Sequence, residues 1–134
     1  MTDQLQILYT LNRTQYEPSL RSKLAAGINV VAEDYTGTGL AWGLGQGFEL
    51  EWLEFLNSHL RREDLAILLD GQRFTQAVEV GHANETNNEL TDRVRAHHQQ
   101  LAARYYWPIV NANQSIEQVA KDLHHIIQPI INLK

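Results

Sequence analysis

The sequence predicts an α/β domain, a mostly parallel sheet of about three strands flanked by helices. Three observations predict it. The run Asp64-Leu-Ala-Ile-Leu-Leu-Asp70 is apolar without alternation and bounded by acids, the pattern of a parallel strand buried on both faces. Ile28–Ala32 and Trp107–Ala112 are two further short runs carrying β-branched residues. Segments with helical periodicity separate these runs, and strand alternating with helix implies right-handed βαβ units.

Taken in order, residues 4–26 carry Leu5, Leu8, Leu11, Tyr16, Leu20 and Leu24 at spacings of three and four, which predicts helix. Pro18 divides it into two, because an interior proline costs about 3 kcal/mol while one in a first turn is tolerated. Gly27 is placed to cap its end. Ile28–Ala32 is the first strand. Thr36–Phe48 holds five glycines and reads as a loop or a loosely wound segment. Glu49–Arg62 is a helix with Leu50, Leu53, Leu56 and Leu60 on its inner stripe. Gly71–Asn88 is polar and irregular. Glu89–Arg104 returns to helix, with Leu90, Val94, His97 and Leu101 on one face. Pro108 makes Trp107–Ala112 an edge strand or stands at its first residue. Ser115 is a good N-cap for a last helix, 115–127, which Pro129 ends or kinks.

Composition excludes several function classes. The net charge of −5 argues against a partner held by its phosphate backbone, so no nucleic acid is expected. With no cysteine, thiol catalysis, disulfides and iron–sulfur clusters are excluded, and a reducing cytoplasm is the natural setting. No apolar run approaches the roughly 18–20 residues that span a bilayer, and Met-Thr-Asp-Gln-Leu-Gln has no signal-peptide character.

Candidate chemistry gathers at strand ends. Glu33 and Asp34 follow the first strand, where an open α/β sheet presents ligands. Tyr9 and Arg13 are four apart and share a helix face, a pairing that suits a planar ligand or a plain stacked pair. Gly43-Leu-Gly45-Gln-Gly47 invites a phosphate-loop reading, but Phe48-Glu-Leu follows where lysine and Ser/Thr would meet the phosphates. A flexible lead-in to the next helix is the better reading. The adjacent pairs His97-His98 and His124-His125 point about 100° apart on a helix, so no metal site is expected. Arg93 and Arg95 read as anion contacts or as solvated charges. Trp42, Trp52 and Trp107 read as core or pocket lining.

Several stretches, in order, resemble one family. The chain has Tyr9-Thr-Leu-Asn-Arg13, then Val30-Val-Ala-Glu-Asp-Tyr35, then Thr38-Gly-Leu-Ala-Trp42, then Glu51-Trp-Leu-Glu-Phe-Leu-Asn57. These are similar to the F-x-x-D/N-R helix, the D-R-Y strand end, S-x-x-A-Y/F and W-L-x-x-L-N of thymidylate kinases, within the P-loop nucleoside monophosphate kinases. Asp64–Asp70 is similar to that family's P-D-L-x-x-x-L-D strand, Asp92-Arg-Val-Arg95 to the helix after its lid, and Asn111-Ala-Asn-Gln-Ser-Ile-Glu117 to its adenine-side loop.

The resemblance implies a P-loop-kinase-like three-layer fold in a single domain over residues 1–134, and phosphoryl transfer from ATP to dTMP as the family reaction. It implies that Tyr9 stacks on the thymine and that Arg13 hydrogen-bonds it. Glu33 would be the catalytic carboxylate near the monophosphate. Tyr35, Thr38, Gly39 and Trp42 would frame the substrate, and Asn111, Ala112, Asn113 and Gln114 the adenine of the donor. It implies a homodimer, because the helix of 4–26 corresponds to a part of the fold near the family's dimer contact.

Three departures stand against activity. Asp34 replaces the arginine of D-R-Y, which turns attraction for a phosphate into repulsion. Residues 72–88 correspond to a degenerate lid, with no arginine or lysine from Thr75 to Asn88. The family's opening strand, G-x-x-x-x-G-K-S/T and helix have no counterpart, as if the sequence began well inside the family's pattern. The expectation is a nucleotide-binding pseudoenzyme, or one half of a split kinase in which a P-loop-bearing chain brings ATP and Mg²⁺. By itself the chain would hold no cofactor. The alternative is a small α/β dimerisation or interaction module with no nucleotide site.

Overall fold

The structure, a computed structural model, describes residues 3–72 and 88–132. The chain forms two compact units, Met1–Glu63 and Asp64–Lys134. Among the described residues there are five helices and one two-stranded parallel sheet, an α/β composition weighted to helix.

The first unit is three helices: α1 (Asp3–Ala25), α2 (Thr36–Gly45) and α3 (Leu50–Asn57). Its core is Leu40, Ala41, Leu53 and Leu60. Two helix ends close in the same way. Gly27 N donates to Leu24 O and Ile28 N to Lys23 O, while Gly47 N donates to Leu44 O and Phe48 N to Gly43 O. This paired pattern needs a left-handed residue, and Gly27 (φ 81°) and Gly47 (φ 92°) supply it.

Four sequence expectations are corrected in this unit. α1 runs through Pro18 without a break. Beside it the buried carboxylate of Glu17 accepts from Arg21 Nε (2.7 Å) one turn on within α1 and from the amide of Arg61 (2.8 Å) outside it. Thr36–Phe48 is more regular than a loop or a loosely wound segment: ten of its residues form α2. Its glycines, which disfavour an isolated helix by about 1 kcal/mol each, provide a smooth face instead. A β-carbon on Gly43 would lie 2.6 Å from Leu53 Cδ2, so that glycine is what lets α2 approach α3. Ile28–Ala32 carries no strand; it is irregular and solvent-facing, with Val31 93% exposed. A β-branched run becomes a strand when a neighbour takes its backbone groups, and no described residue pairs with it in a ladder. Finally, α3 stops at Asn57, and the run to Arg62 is turn and irregular chain.

α1 also buries different positions from the apolar stripe its spacing predicts. Gln6, Thr10 and Glu17 are buried, while Leu8 (57% exposed) and Leu11 (50%) face outward with Ile7.

The second unit is β1 (Leu68–Asp70), α4 (Asn88–Tyr105), β2 (Ile109–Asn111) and α5 (Ile116–Asn132). β1 and β2 are parallel, in the register Leu68↔Ile109, Leu69↔Val110, Asp70↔Asn111. Only the last three residues of Asp64–Asp70 enter the ladder. Pro108 precedes β2 as the sequence implied, and its carbonyl accepts from Leu68 N (2.9 Å). Val94, Leu101, Ala102 and Val110 are the buried apolar centre. Ser115 caps α5 by accepting from Gln118 N (3.1 Å). α5 continues through Pro129 to Asn132 rather than ending there. The lid-like stretch of 72–88 lies outside the described residues from 73 to 87.

Candidate ligand-binding site

The spacing of one helix face builds the site. Tyr9, Asn12, Arg13 and Tyr16 stand at i, i+3, i+4 and i+7 on α1, so they project along one side. Asp34 and Tyr35, just before α2, complete the lining of a cleft of about 260 Å³. That is close to the lower bound of small-ligand pockets, roughly 300 Å³.

Arg13 is the fixed centre. Its Nη1 donates to Asn57 Oδ1 (2.9 Å) and its Nη2 to the carbonyl of Tyr35 (3.3 Å). Asn57 is itself oriented, since its Nδ2 donates to Leu53 O (2.9 Å). The guanidinium carbon lies 5.8 Å from the centre of the Tyr35 ring. Gly39 makes room for it: a β-carbon there would sit 2.5 Å from Arg13 Nη2. Burial pulls the arginine below its ordinary pKa, opposed by Tyr35 and Tyr9. Burial pushes the Tyr35 phenol up, helped by the charge of Glu17 and opposed by Arg13. The Tyr35 hydroxyl is therefore neutral across the physiological range, and it is buried with no hydrogen-bond partner among the described residues.

Asp34 adopts the left-handed conformation (φ 51°), which Asp and Asn tolerate better than most residues. Thr38 Oγ1 donates to its Oδ1 (3.3 Å). One turn beyond the cleft, burial pushes the Glu17 carboxyl up, but the bonds from Arg61 and Arg21 outweigh it and hold it below the usual carboxylate range. Thr14 Oγ1 and His59 Nε2, 2.7 Å apart, tie α1 to the turn that follows α3.

Of the substrate positions read from sequence, Tyr9, Arg13 and Tyr35 come together in the lining. Thr38 and Gly39 support it from behind, through Asp34 and Arg13. Glu33 is exposed and Trp42 half-buried, and neither is in the lining. Asn12, Tyr16 and Asn57 were not assigned a part. The first two were legible as further members of the Tyr9–Arg13 face; Asn57, 44 positions from Arg13, had no local signal.

In the second unit the strand tips form a closed polar knot. Asp70 accepts from Arg95 Nε (2.9 Å) and from Gln99 Nε2 (3.0 Å). Arg95 is thus an ion-pair partner rather than an anion contact, and Arg93 pairs with Glu89 (3.2 Å). The Asn113 carboxamide bonds both the amide and the carbonyl of Gln72, prolonging the sheet by one side-chain rung. Gln114 Nε2 donates to Asn111 O (2.8 Å) and Asp122 Oδ2 (2.9 Å). Asn111, Ala112, Asn113 and Gln114 are therefore gathered at one strand end, with the Asn111 carboxamide accepting from Asn113 N, that of Asn113 engaged by Gln72, and that of Gln114 by Asn111 and Asp122. Ala112 and Gln114 also border an apolar groove with Ile116, Val119, Ala120 and Leu123.

Among the described residues no group of three His, Cys, Asp or Glu side chains is placed to hold an ion. The carboxamides beside the β2 tip are engaged, and the 134 residues contain no G-x-x-x-x-G-K-S/T run.

No family model matches the chain. It is similar to the thymidylate kinase of Homo sapiens, 28% identical over 130 residues, which is 93% of this chain and 61% of that protein. The thymidylate kinase of Danio rerio is 28% identical over 132 residues, 95% of this chain and 62% of its own length. That of Dictyostelium discoideum is 24% identical over 124 residues, 91% and 56%. The chain is thymidylate-kinase-like over more than nine-tenths of its length, and it spans about three-fifths of the relatives it matches.

Proposed function

We propose that this chain binds a thymine-type nucleoside or nucleotide in the α1 cleft and does not by itself transfer a phosphoryl group. The observation that carries this is the held guanidinium of Arg13 beside Tyr9 and Tyr35. An arginine has five donors in a rigid fork, and two are spent on Asn57 and the Tyr35 carbonyl. The remainder suit the carbonyl edge of a planar base, with the half-exposed Tyr9 ring as its stacking surface. The relatives are named thymidylate kinases, whose reaction passes a phosphoryl group from ATP to dTMP. In-line transfer depends on a phosphate cradle, a lysine and Mg²⁺ to neutralise charge, and the residues described above do not assemble one. The chain then acts as a nucleotide-binding pseudoenzyme, or as the acceptor half of a split kinase whose P-loop partner carries ATP and Mg²⁺.

The outward face of α1 supports association with a second copy. Ile7, Leu8 and Leu11 form an apolar stripe on a helix whose other side buries polar groups, an arrangement that suits a helix with neighbours on both sides.

Calorimetric titration with thymidine and with dTMP tests the ligand reading. Saturable heat with either ligand, weakened at least about tenfold in Arg13→Ala, is the expected result. No heat with either at millimolar concentration would leave an interaction module as the better account. Phosphoryl transfer by the purified chain would overturn the second half of the proposal.

A further inference from the structure

We infer that the α1 cleft selects the uncharged nucleoside over its 5′-monophosphate, and that Asp34 sets this preference. The inference rests on the reading that the cleft takes a nucleoside-type base, and it concerns what lies beyond that base.

The charges around the cleft decide the matter. The lining contains one cation, Arg13, and one carboxylate, Asp34; Tyr9, Asn12, Tyr16 and Tyr35 are neutral. With a base in the cleft Arg13 is committed: two donors go to Asn57 and the Tyr35 carbonyl, and the remainder face the base edge rather than a 5′-phosphate. A second cation, Lys23, reaches the lining at Tyr16, where Nζ donates to the phenol (3.0 Å). A second carboxylate, Glu17, is buried near Tyr35 and takes up Arg21. Glu17 and Arg21 neutralise each other and Lys23 is held on the Tyr16 phenol, so the lining itself pairs one cation with one carboxylate and carries no surplus positive charge to receive a phosphate.

Asp34 is also held in place. Its left-handed backbone and the bond from Thr38 fix the carboxylate at the edge of the cleft. A phosphate monoester near neutral pH presents only acceptor oxygens, and a carboxylate is an acceptor as well, so the two meet without a proton to share. A sugar hydroxyl instead donates to the carboxylate, a charge-assisted bond. The same group that repels dTMP thus gives thymidine a partner.

The test is a paired titration with thymidine and dTMP, on the wild-type chain and on Asp34→Asn. Asparagine matches aspartate in size and tolerates the left-handed backbone, so folding is preserved; thermal melting of both proteins checks it. Thymidine is expected to bind wild type at least about tenfold more tightly than dTMP at low salt, a ratio that narrows as salt screens the repulsion. Asp34→Asn should shrink the ratio about tenfold, mainly by improving dTMP. Equal or tighter binding of dTMP by wild type overturns the inference and leaves the base-binding reading standing. A ratio unmoved by Asp34→Asn and by salt overturns Asp34 as its origin. No binding of either ligand overturns both readings together.

Discussion

The α1 cleft and the tip of the β1–β2 sheet use one device to opposite ends. In each, a glycine lacks the β-carbon that would collide with a polar side-chain head: Gly39 admits the Arg13 guanidinium and Gly71 the Asn113 carboxamide. In the cleft the admitted group spends two donors on the protein and keeps others. At the sheet tip the admitted group bonds the Gln72 amide and carbonyl, and its neighbour Gln114 is taken up by Asn111 and Asp122. A polar cluster that satisfies itself is scaffold, whereas one with donors in reserve can receive a ligand.

The largest test of this contrast attacks the support of the cleft. Leu53 is 1% exposed, packs against the bare face of Gly43, and its carbonyl orients Asn57. Leu53→Ala should cost about 2–5 kcal/mol, read as a lower urea midpoint. A loss under about 1 kcal/mol would mean that α2 and α3 are not held by this contact.

The glycines come next and should separate cleanly. Gly39→Ala displaces the far end of a flexible side chain, so stability falls by no more than about 1 kcal/mol while nucleoside binding drops at least about tenfold. Gly71→Ala breaks the rung between Asn113 and Gln72, so about 1 kcal/mol of stability is lost while nucleoside affinity holds. If the two variants exchange these phenotypes, the assignment of receptor and scaffold is reversed. On the outer face of α1, Leu8→Glu should convert any dimer seen by sedimentation into monomer; an unchanged mass would remove that stripe from the interface.

What the sequence disclosed follows from how local each signal was. The Tyr9–Arg13 pairing needs only the helix repeat, and it was readable. The N-cap at Ser115 and the C-cap at Gly27 are equally local, and both are present. α2 was misread because its glycines break a helix when judged alone, and their role as a smooth face becomes visible only with Arg13 and Leu53 in place. Ile28–Ala32 failed in the opposite sense: its composition favours a strand, but a strand is a pairing and composition supplies one partner. The burial of Glu17 was hidden because, besides the local Arg21, its second partner, the Arg61 amide, is 44 positions away. Leu8 and Leu11 were taken for an inward stripe on the rule that apolar side chains are buried, which is a one-way rule.

The smallest effect distinguishes the two carboxylates at the two sites. Bonds from Arg95 hold the Asp70 carboxyl below its ordinary range, with Gln99 and the Gly71 amide adding to this and burial opposing it. Asp70 therefore titrates lower in the folded chain than in the unfolded one. Its contribution is complete above the unfolded value of about 4 and is lost as pH falls through that value toward the folded one. Arg95 is substantially exposed, so screening keeps the contribution under about 1 kcal/mol. Glu17 and Asp122 are lowered as well, so the acid limb of wild type alone does not isolate Asp70. The difference between wild type and Asp70→Asn does. It should be greatest near neutral pH and shrink by pH 3, as urea midpoints measured across that range will show. A gap that stays constant into acid would mean that the Arg95 bond contributes nothing as an ion pair. Asp70 would then be no more committed than Asp34, and the contrast between a satisfied strand tip and a receptive cleft would lose its electrostatic half.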